Sequence, residues 1–492
     1  MNKYKLTPYK ILVSFILLFT SCDDYLDELP DDRLELDSVE KAAKVVADSY
    51  SQGSYAFTDM YTDLAGPTGI ENEGVVANAG GNFIDQNSLQ LYTWENVDGI
   101  TQDTPTYFWD RSYEAIAQTN EVLAVIDDLP GSTEYKNAIK GEALLSRAYS
   151  HFMLVNVFAL HYDQNASTNL GVPYVLKPET RFLPDYERNT VEEVYDLVEK
   201  DLLEGLSLID DQFFSGSKKY HFTKKAGLAF ASRFYLWKKD YINCIKYSDL
   251  FFDGNPELYV KKYDELQGST YNDIADKYNE TTDDSNVLVI QKFSNHQRVG
   301  IGFRLNITDL GRLFDNALNT FDERISTGIW NVGTDARYTA RLREYFFREN
   351  LSSNSGLPYH ISIELKGEEV LLNRAEAQLF TGAQNEALSD INVLARLRYN
   401  NQEYSDINQL ITYYNATDGI DAIEQLILDE RKKEFWDHGL RWFDIKRFNL
   451  SISHTLPENL GGETFELTAN DLRKAIQIPD SAIDFGITPN PR

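Results

Sequence analysis

Seven histidines, two cysteines and 77 acidic side chains are the groups in this 492-residue chain able to ligate a metal, attack a carbonyl or move a proton. Their spacing argues against most of that chemistry. His151, His161, His221, His296, His360, His438 and His454 include no His-Glu-x-x-His pair, and none is flanked by cysteines at zinc-ligand spacing. No Gly-x-Ser-x-Gly elbow, phosphate-cradling loop or dinucleotide-binding glycine fingerprint occurs, and Gly300-Ile301-Gly302 is too short to act as one. Asp283-Asp284 lacks the alternating acidic loop and glycine that hold calcium, so it reads as a solvated acidic face. No metal and no cofactor is expected. A carboxylate pair that hydrolyses a glycoside stays open, because it is defined by a separation of roughly 5 to 9.5 Å in space rather than along the chain. Cys244 has no accompanying His or Cys and reads as a small-residue packing slot.

Cys22 carries a different message. Lys3, Lys5 and Lys10 form a positive start, Ile11 to Phe19 is an apolar run, and the small residues Thr20 and Ser21 precede the cysteine. The run is too short to span a bilayer, which needs about 20 apolar residues, and reads as a secretory signal. A small residue followed by Cys at the cleavage point looks like a bacterial lipobox, with Cys22 lipidated as the first mature residue and several acyl chains anchoring it. Removing residues 1–21 takes away three positive charges and no acidic ones, so the formal charge of −30 becomes −33. Nucleic acid and anionic surfaces are held chiefly by Lys and Arg, so a chain this acidic is not built for them. The 30 Tyr, 27 Phe and 6 Trp exceed what a core needs, and the surplus can serve as binding surface.

The elements that must position any site are mostly helices. Residues 22–37 read as an acidic tether, and regular structure is expected from Ser38, where Ala42, Val45, Val46 and Tyr50 fall at helical spacing. Residues 51–105, rich in Gly, Asn, Thr and Asp, read as long loops. Amphipathic stretches follow from Trp109 and from Tyr135 to Leu160. A capping box at Thr190-Val191-Glu192-Glu193 opens a helix through Val194, Val198, Leu202 and Leu206. Two later segments match at an offset of 143 residues, Trp237 with Phe380, Cys244 with Ala387 and Ile245 with Leu388, each as helix, short turn, helix in the tetratricopeptide manner. Between 254 and 360 the helical period fades, with a short strand expected at Val287 to Ile290. Residues 38–492 are thus expected to form one domain: 38–253 mostly helical with the loop region 51–105, 254–360 irregular, and 361–492 helical again. The two irregular regions are where a ligand site is expected.

The densest string is Glu430-Arg431-Lys432-Lys433-Glu434-Phe435-Trp436-Asp437-His438-Gly439-Leu440-Arg441-Trp442-Phe443-Asp444-Ile445-Lys446-Arg447-Phe448. It is expected to be a helix stopped at Gly439 whose charges pair and whose aromatics pack inward, rather than a basic binding patch. It resembles the C-terminal signature of the SusD/RagB family, outer-membrane lipoproteins of Bacteroidota that bind nutrients. Ser21 to Asp27 resembles that family's lipidation site. Trp109, Tyr113, Ile116 and Asn120 resemble its early helix, Gly141 to Tyr149 its next, Glu369 to Ala377 its late tetratricopeptide-like helix, and Ile476 to Pro479 its closing segment. After Pro479 the chain departs from the pattern at Asp484-Phe485-Gly486, and both loop regions follow none.

The resemblance implies a mainly α, SusD-like fold with four tetratricopeptide-like hairpins plus irregular ligand-binding loops, tethered at the cell surface. It also implies an oligosaccharide ligand passed to a SusC-like TonB-dependent transporter with no bond broken. Four of the six Trp lie in helical or signature segments, which leaves Trp94 and Trp330 in the irregular regions. A sugar ring pairs a flat aromatic with polar neighbours. The expected site is therefore Tyr92, Trp94 and Asn96 converging with Trp330, Asp335 and Arg337. The competing readings are a peptide ligand, as in the RagB branch, and a surface glycoside hydrolase.

Overall fold

The computed structural model describes residues 36–68, 70–72, 75–77, 85–179, 186–266, 270–296, 302–332, 336–339, 343–348, 350 and 355–492. Cys22 and Asp335 lie outside the described residues. Residues Ser38–Arg492 form one compact unit.

Helices start where capping side chains satisfy the free backbone N–H groups of the first turn. Ser38 caps Val39–Asp48, Thr104 caps Pro105–Val125, Ser132 caps Thr133–Phe158, and Thr190 with Glu193 completes the capping box of Val191–Leu208. The last of these buries Val191, Val194, Tyr195, Val198, Leu202 and Leu206, one stripe at the 3.6 period. Consecutive helices pack against each other, among them Thr133–Phe158 with Val191–Leu208, Lys224–Trp237 with Tyr241–Phe252, Gly367–Phe380 with Gln384–Arg398, Ile407–Tyr414 with Gly419–Phe435, and Pro105–Val125 with Thr133–Phe158. The first pair crosses at Gly141 and Gly205, where a Cβ on Gly205 would lie 2.9 Å from the Gly141 carbonyl oxygen. Cys244 fills the slot expected of it, fully buried with Sγ 3.6 Å from the Asn373 carbonyl of the neighbouring pair, and Tyr241 of one pair stacks on Phe380 of the other at 5.1 Å. Among the described residues no helix is long and apolar enough to cross a membrane.

Three antiparallel strands form the central sheet, in the order Asn286–Phe293, Leu357–Lys366, Tyr345–Phe347. The expected strand at 287–290 is there and is longer. The boundary at 360 and 361 is corrected: it falls inside Leu357–Lys366, where Leu357, Tyr359, Ile361, Ile363 and Leu365 alternate with the period of a strand. The reading of 51–105 as open loops is also corrected. Ala56–Tyr61 is a short, tight 3-10 helix buried along its whole length, with Phe57, Met60 and Tyr61 in the main core, and Gln86–Tyr92 is an α-helix capped by Asp85.

Candidate ligand-binding face

The signature string is scaffold. Arg431 grips Asp444 at 3.0 Å, Arg447 grips Glu376 at 2.6 Å, and Glu434 receives Arg398 at 3.0 Å and Arg324 at 3.1 Å, all buried. Burial pushes the Glu434 carboxyl upward, but Arg398, Lys366 and Arg324 together hold it well below the usual carboxylate range. Phe435, Trp436, Trp442 and Phe443 pack inward, as expected. The helix stops at Phe435, earlier than Gly439, which instead sits in a left-handed conformation (φ 71°) against the Ala56–Tyr61 segment. A Cβ there would lie 2.6 Å from the Tyr55 carbonyl oxygen, its N–H donates to Asp59 at 3.0 Å, and its carbonyl accepts from the Thr58 hydroxyl at 2.8 Å.

Tyr92 and Trp94 do not offer ring faces to a ligand, and that expectation is corrected. Tyr92 is stacked between Phe303 and His454, each 4.1 Å away, and Trp94 lies on the far side of His454 at 4.3 Å. Trp94 is 3% exposed, donates its indole N–H to the Tyr61 carbonyl at 3.0 Å, and has the Arg473 guanidinium over its ring. Its positive φ of 55° turns the chain out of the helix, so the ring points into the core while Asn96 reaches the surface and accepts from Arg492 at 3.3 Å. Burial also pushes the His454 imidazole below its ordinary pKa.

The second expected segment is a hairpin, Ile329–Val332 paired with Ala336–Thr339, whose register pairs Trp330 with Tyr338 and Asn331 with Arg337. The Arg337 N–H donates to the Leu305 carbonyl at 2.9 Å, and the Arg337 side chain is buried, against the expectation of a solvent-facing sugar donor. The two segments do share neighbours: Tyr92 stacks on Phe303 and Arg337 is tied to Leu305, two residues apart. Asp437 of the signature holds the hairpin, accepting from the Thr339 N–H at 2.9 Å with Arg304 at 3.7 Å.

What projects to solvent beside this hairpin is the outer end of the central sheet. The register pairs Tyr345 with Tyr359 and Phe347 with Leu357, so all four point to one side. Tyr345 and Tyr359 stack at 5.4 Å, and Phe347 and Leu357 are each 44% exposed. Such exposure of neighbouring large apolar side chains marks an interaction surface more often than a packing accident. Tyr345 donates to Asp276 at 2.7 Å, and Tyr271, on the same Tyr271–Tyr278 helix, donates to Thr339 at 3.4 Å. One helix therefore braces both the aromatic strand and the Trp330 hairpin. Burial, and then the bond to Asp276, push the Tyr345 hydroxyl up to about 12. On the other flank Gln102 donates to the Pro358 carbonyl at 3.0 Å, and buried Asp103 accepts from the Ser294 hydroxyl at 2.6 Å and the Asn295 N–H at 2.8 Å. Burial pushes the Asp103 carboxyl up to about 6 against those hydrogen bonds. These aromatics were missed in the sequence, although the run Tyr345-Phe346-Phe347 before an alternating strand carried the signal. Among the described residues no cluster of His, Cys, Asp and Glu is arranged to hold a metal.

Paired helices thus carry a sheet end with an open aromatic face. A family model described as starch-binding and associating with the outer membrane matches residues 24–236, and the SusD family model matches residues 330–486. The chain belongs to the SusD/RagB family, whose members are non-catalytic binding proteins. A SusD-like protein of Formosa agariphila is 23% identical over 77% of this chain and 80% of its own length. The fold matches a SusD superfamily protein of Bacteroides vulgatus (TM-score 0.68, 18% identity, 92% of this chain and 98% of that one). It also matches one of Bacteroides thetaiotaomicron (TM-score 0.66, 20% identity, 92% and 100%). A laminarin-binding SusD-like protein matches at a TM-score of 0.61 with 16% identity, over 92% of this chain and 98% of its own.

Proposed function

We propose that this protein is a lipid-anchored lipoprotein on the outer face of the outer membrane that captures oligosaccharides and passes them, uncleaved, to a SusC-like TonB-dependent transporter. The observation that carries the reading is the open face of Tyr345, Phe347, Leu357 and Tyr359 at the end of a rigid sheet. Sugar C–H faces lie on exposed aromatic rings, with hydroxyls reaching polar groups around them. Trp330, on the hairpin braced by the same helix, and surface Asn96 complete the site in this reading, together with Asp335, which lies outside the described residues. Tyr92, Trp94 and Arg337 act from beneath it as buried supports. Cys22 is the lipidated residue and residues 22–37 the tether. Relatives named for starch, carbohydrate and laminarin binding support a glycan over the peptide of the RagB branch.

Isothermal titration of the chain lacking residues 1–22 against laminarin, starch and other oligosaccharides, and against mixed peptides, tests it. Saturable glycan binding that Phe347→Ala and Tyr359→Ala weaken at least tenfold is expected. Peptide binding alone sinks the glycan reading, and release of reducing ends sinks the binding-only reading. Mass spectrometry of the full chain expressed in its host, with Cys22→Ala as control, tests the anchor.

A further inference from the structure

A second concavity lies away from the sheet end, between the helices Pro105–Val125, Thr133–Phe158 and Val191–Leu208 and the segment 176–178, with a volume of about 540 Å³. That is within the range of small-molecule sites, roughly 300 to 1,000 Å³. Its walls are aliphatic, formed by Leu123, Leu144, Leu176 and Leu197, and among the described residues no aromatic ring lines it. Leu176 stands 46% exposed at the lip. Its floor is electrically settled: Arg147 donates to both Asp201 carboxylate oxygens at 2.7 and 2.9 Å and to Asn120 at 2.8 Å, and Tyr174 donates to Asp201 at 2.7 Å.

The rim is not settled. Lys140, Lys177 and Lys200 converge on it in a chain that carries 30 more acidic than basic residues. Lys140 reaches out to Asp127 at 2.8 Å, whereas Lys177 and Lys200 have no ion-pair partner among the described residues. Glu204 is the opposing charge lining the rim, so with Lys140 paired to Asp127 two lysines face one carboxylate there.

We propose that this groove is a separate binding site for a small amphipathic anion, a molecule with an apolar body and a carboxylate, the body lying on the leucines and the carboxylate held by Lys177 and Lys200. An aliphatic wall without aromatics suits such a body better than the face of a neutral sugar chain. A cationic rim in a strongly negative protein concentrates anions that the rest of the surface repels.

The test is a matched pair of probes, octanoate and 1-octanol, which share an eight-carbon chain and differ in the carboxylate, titrated calorimetrically into the chain from Asp23 onward. Octanoate is expected to bind at least fivefold tighter at low salt, and the preference is expected to shrink when salt is raised tenfold, because exposed charges are screened. Lys177→Gln with Lys200→Gln, both exposed and so neutral for folding, should abolish the preference, while Phe347→Ala should leave it intact. Equal binding of the two probes, no binding of either, or a preference lost with Phe347→Ala but kept in the lysine variant would overturn the assignment.

Discussion

Asp103→Asn is expected to remove a pH-dependent weakness that sits beside the proposed ligand face. The carboxyl is buried, and burial pushes it up to about 6 from an ordinary 3.8, more strongly than the Ser294 and Asn295 hydrogen bonds pull it down. The folded chain therefore holds this proton more tightly than the unfolded chain. The associated stability is present in full below 3.8 and is lost as pH rises through about 6. A displacement of two units corresponds to about 3 kcal/mol over the whole range, and to roughly 1 to 2 kcal/mol between pH 5 and 8. Asn keeps the shape and can still accept from the Asn295 N–H, but it has no proton to lose. Urea unfolding of wild type and variant at both pH values cancels the contribution of every other carboxylate. The stability of the variant relative to wild type should rise by roughly 1 to 2 kcal/mol from pH 5 to pH 8. A difference that stays level across that range would refute the reasoning.

Trp94→Ala should behave as a core truncation and cost about 3 to 5 kcal/mol in urea unfolding, because it empties the site between His454 and Arg473. Arg233→Met should cost a similar amount, about 3 to 5 kcal/mol, by stranding Glu369, which now receives two bonds of 2.6 Å; adding Glu369→Leu should recover part of it. Cys244 should resist iodoacetamide until the protein is unfolded, since burial pushes its thiol up to about 12; labelling of the native chain, read by mass spectrometry, would contradict its place in the helix contact. Gly439→Ala should destabilise by about 2 kcal/mol, measured the same way, because it combines a left-handed backbone with a Cβ against the Tyr55 carbonyl.

The helical scaffold was legible because its determinants are local. A Thr190 hydroxyl and a Glu193 carboxylate three residues apart announce a helix start, and valines and leucines at the 3.6 period announce the face it buries. The signature was legible for a related reason: alternating charges and aromatics over nineteen residues have few packed solutions other than paired ions above an aromatic core. The ligand face was not. Trp94 looks like an exposed platform in its Asn- and Glu-rich setting, and what buries it, His454, lies 360 residues further along the chain. Spacing carries no trace of such a partner. Strand Leu357–Lys366 did carry its trace, a period of two over ten residues, and was obscured only because it runs straight into a helix at Gly367.

The clasp at Gly439 has a consequence for the order in which the protein assembles. Thr58, Asp59 and Asp63 near the start of the chain take their partners from Gly439 and Arg441, contacts separated by 381, 380 and 378 residues. Closing a loop of that length is entropically costly, and contacts of high sequence separation slow folding. Phe57 has a nearby partner in Phe108, whose ring lies 6.4 Å away, but the polar contacts of Thr58, Asp59 and Asp63 can form only once Gly439 and Arg441 are in place. The two ends of the domain are thus fastened to each other by a clasp of high sequence separation, and a chain that stops before Phe435 cannot make it.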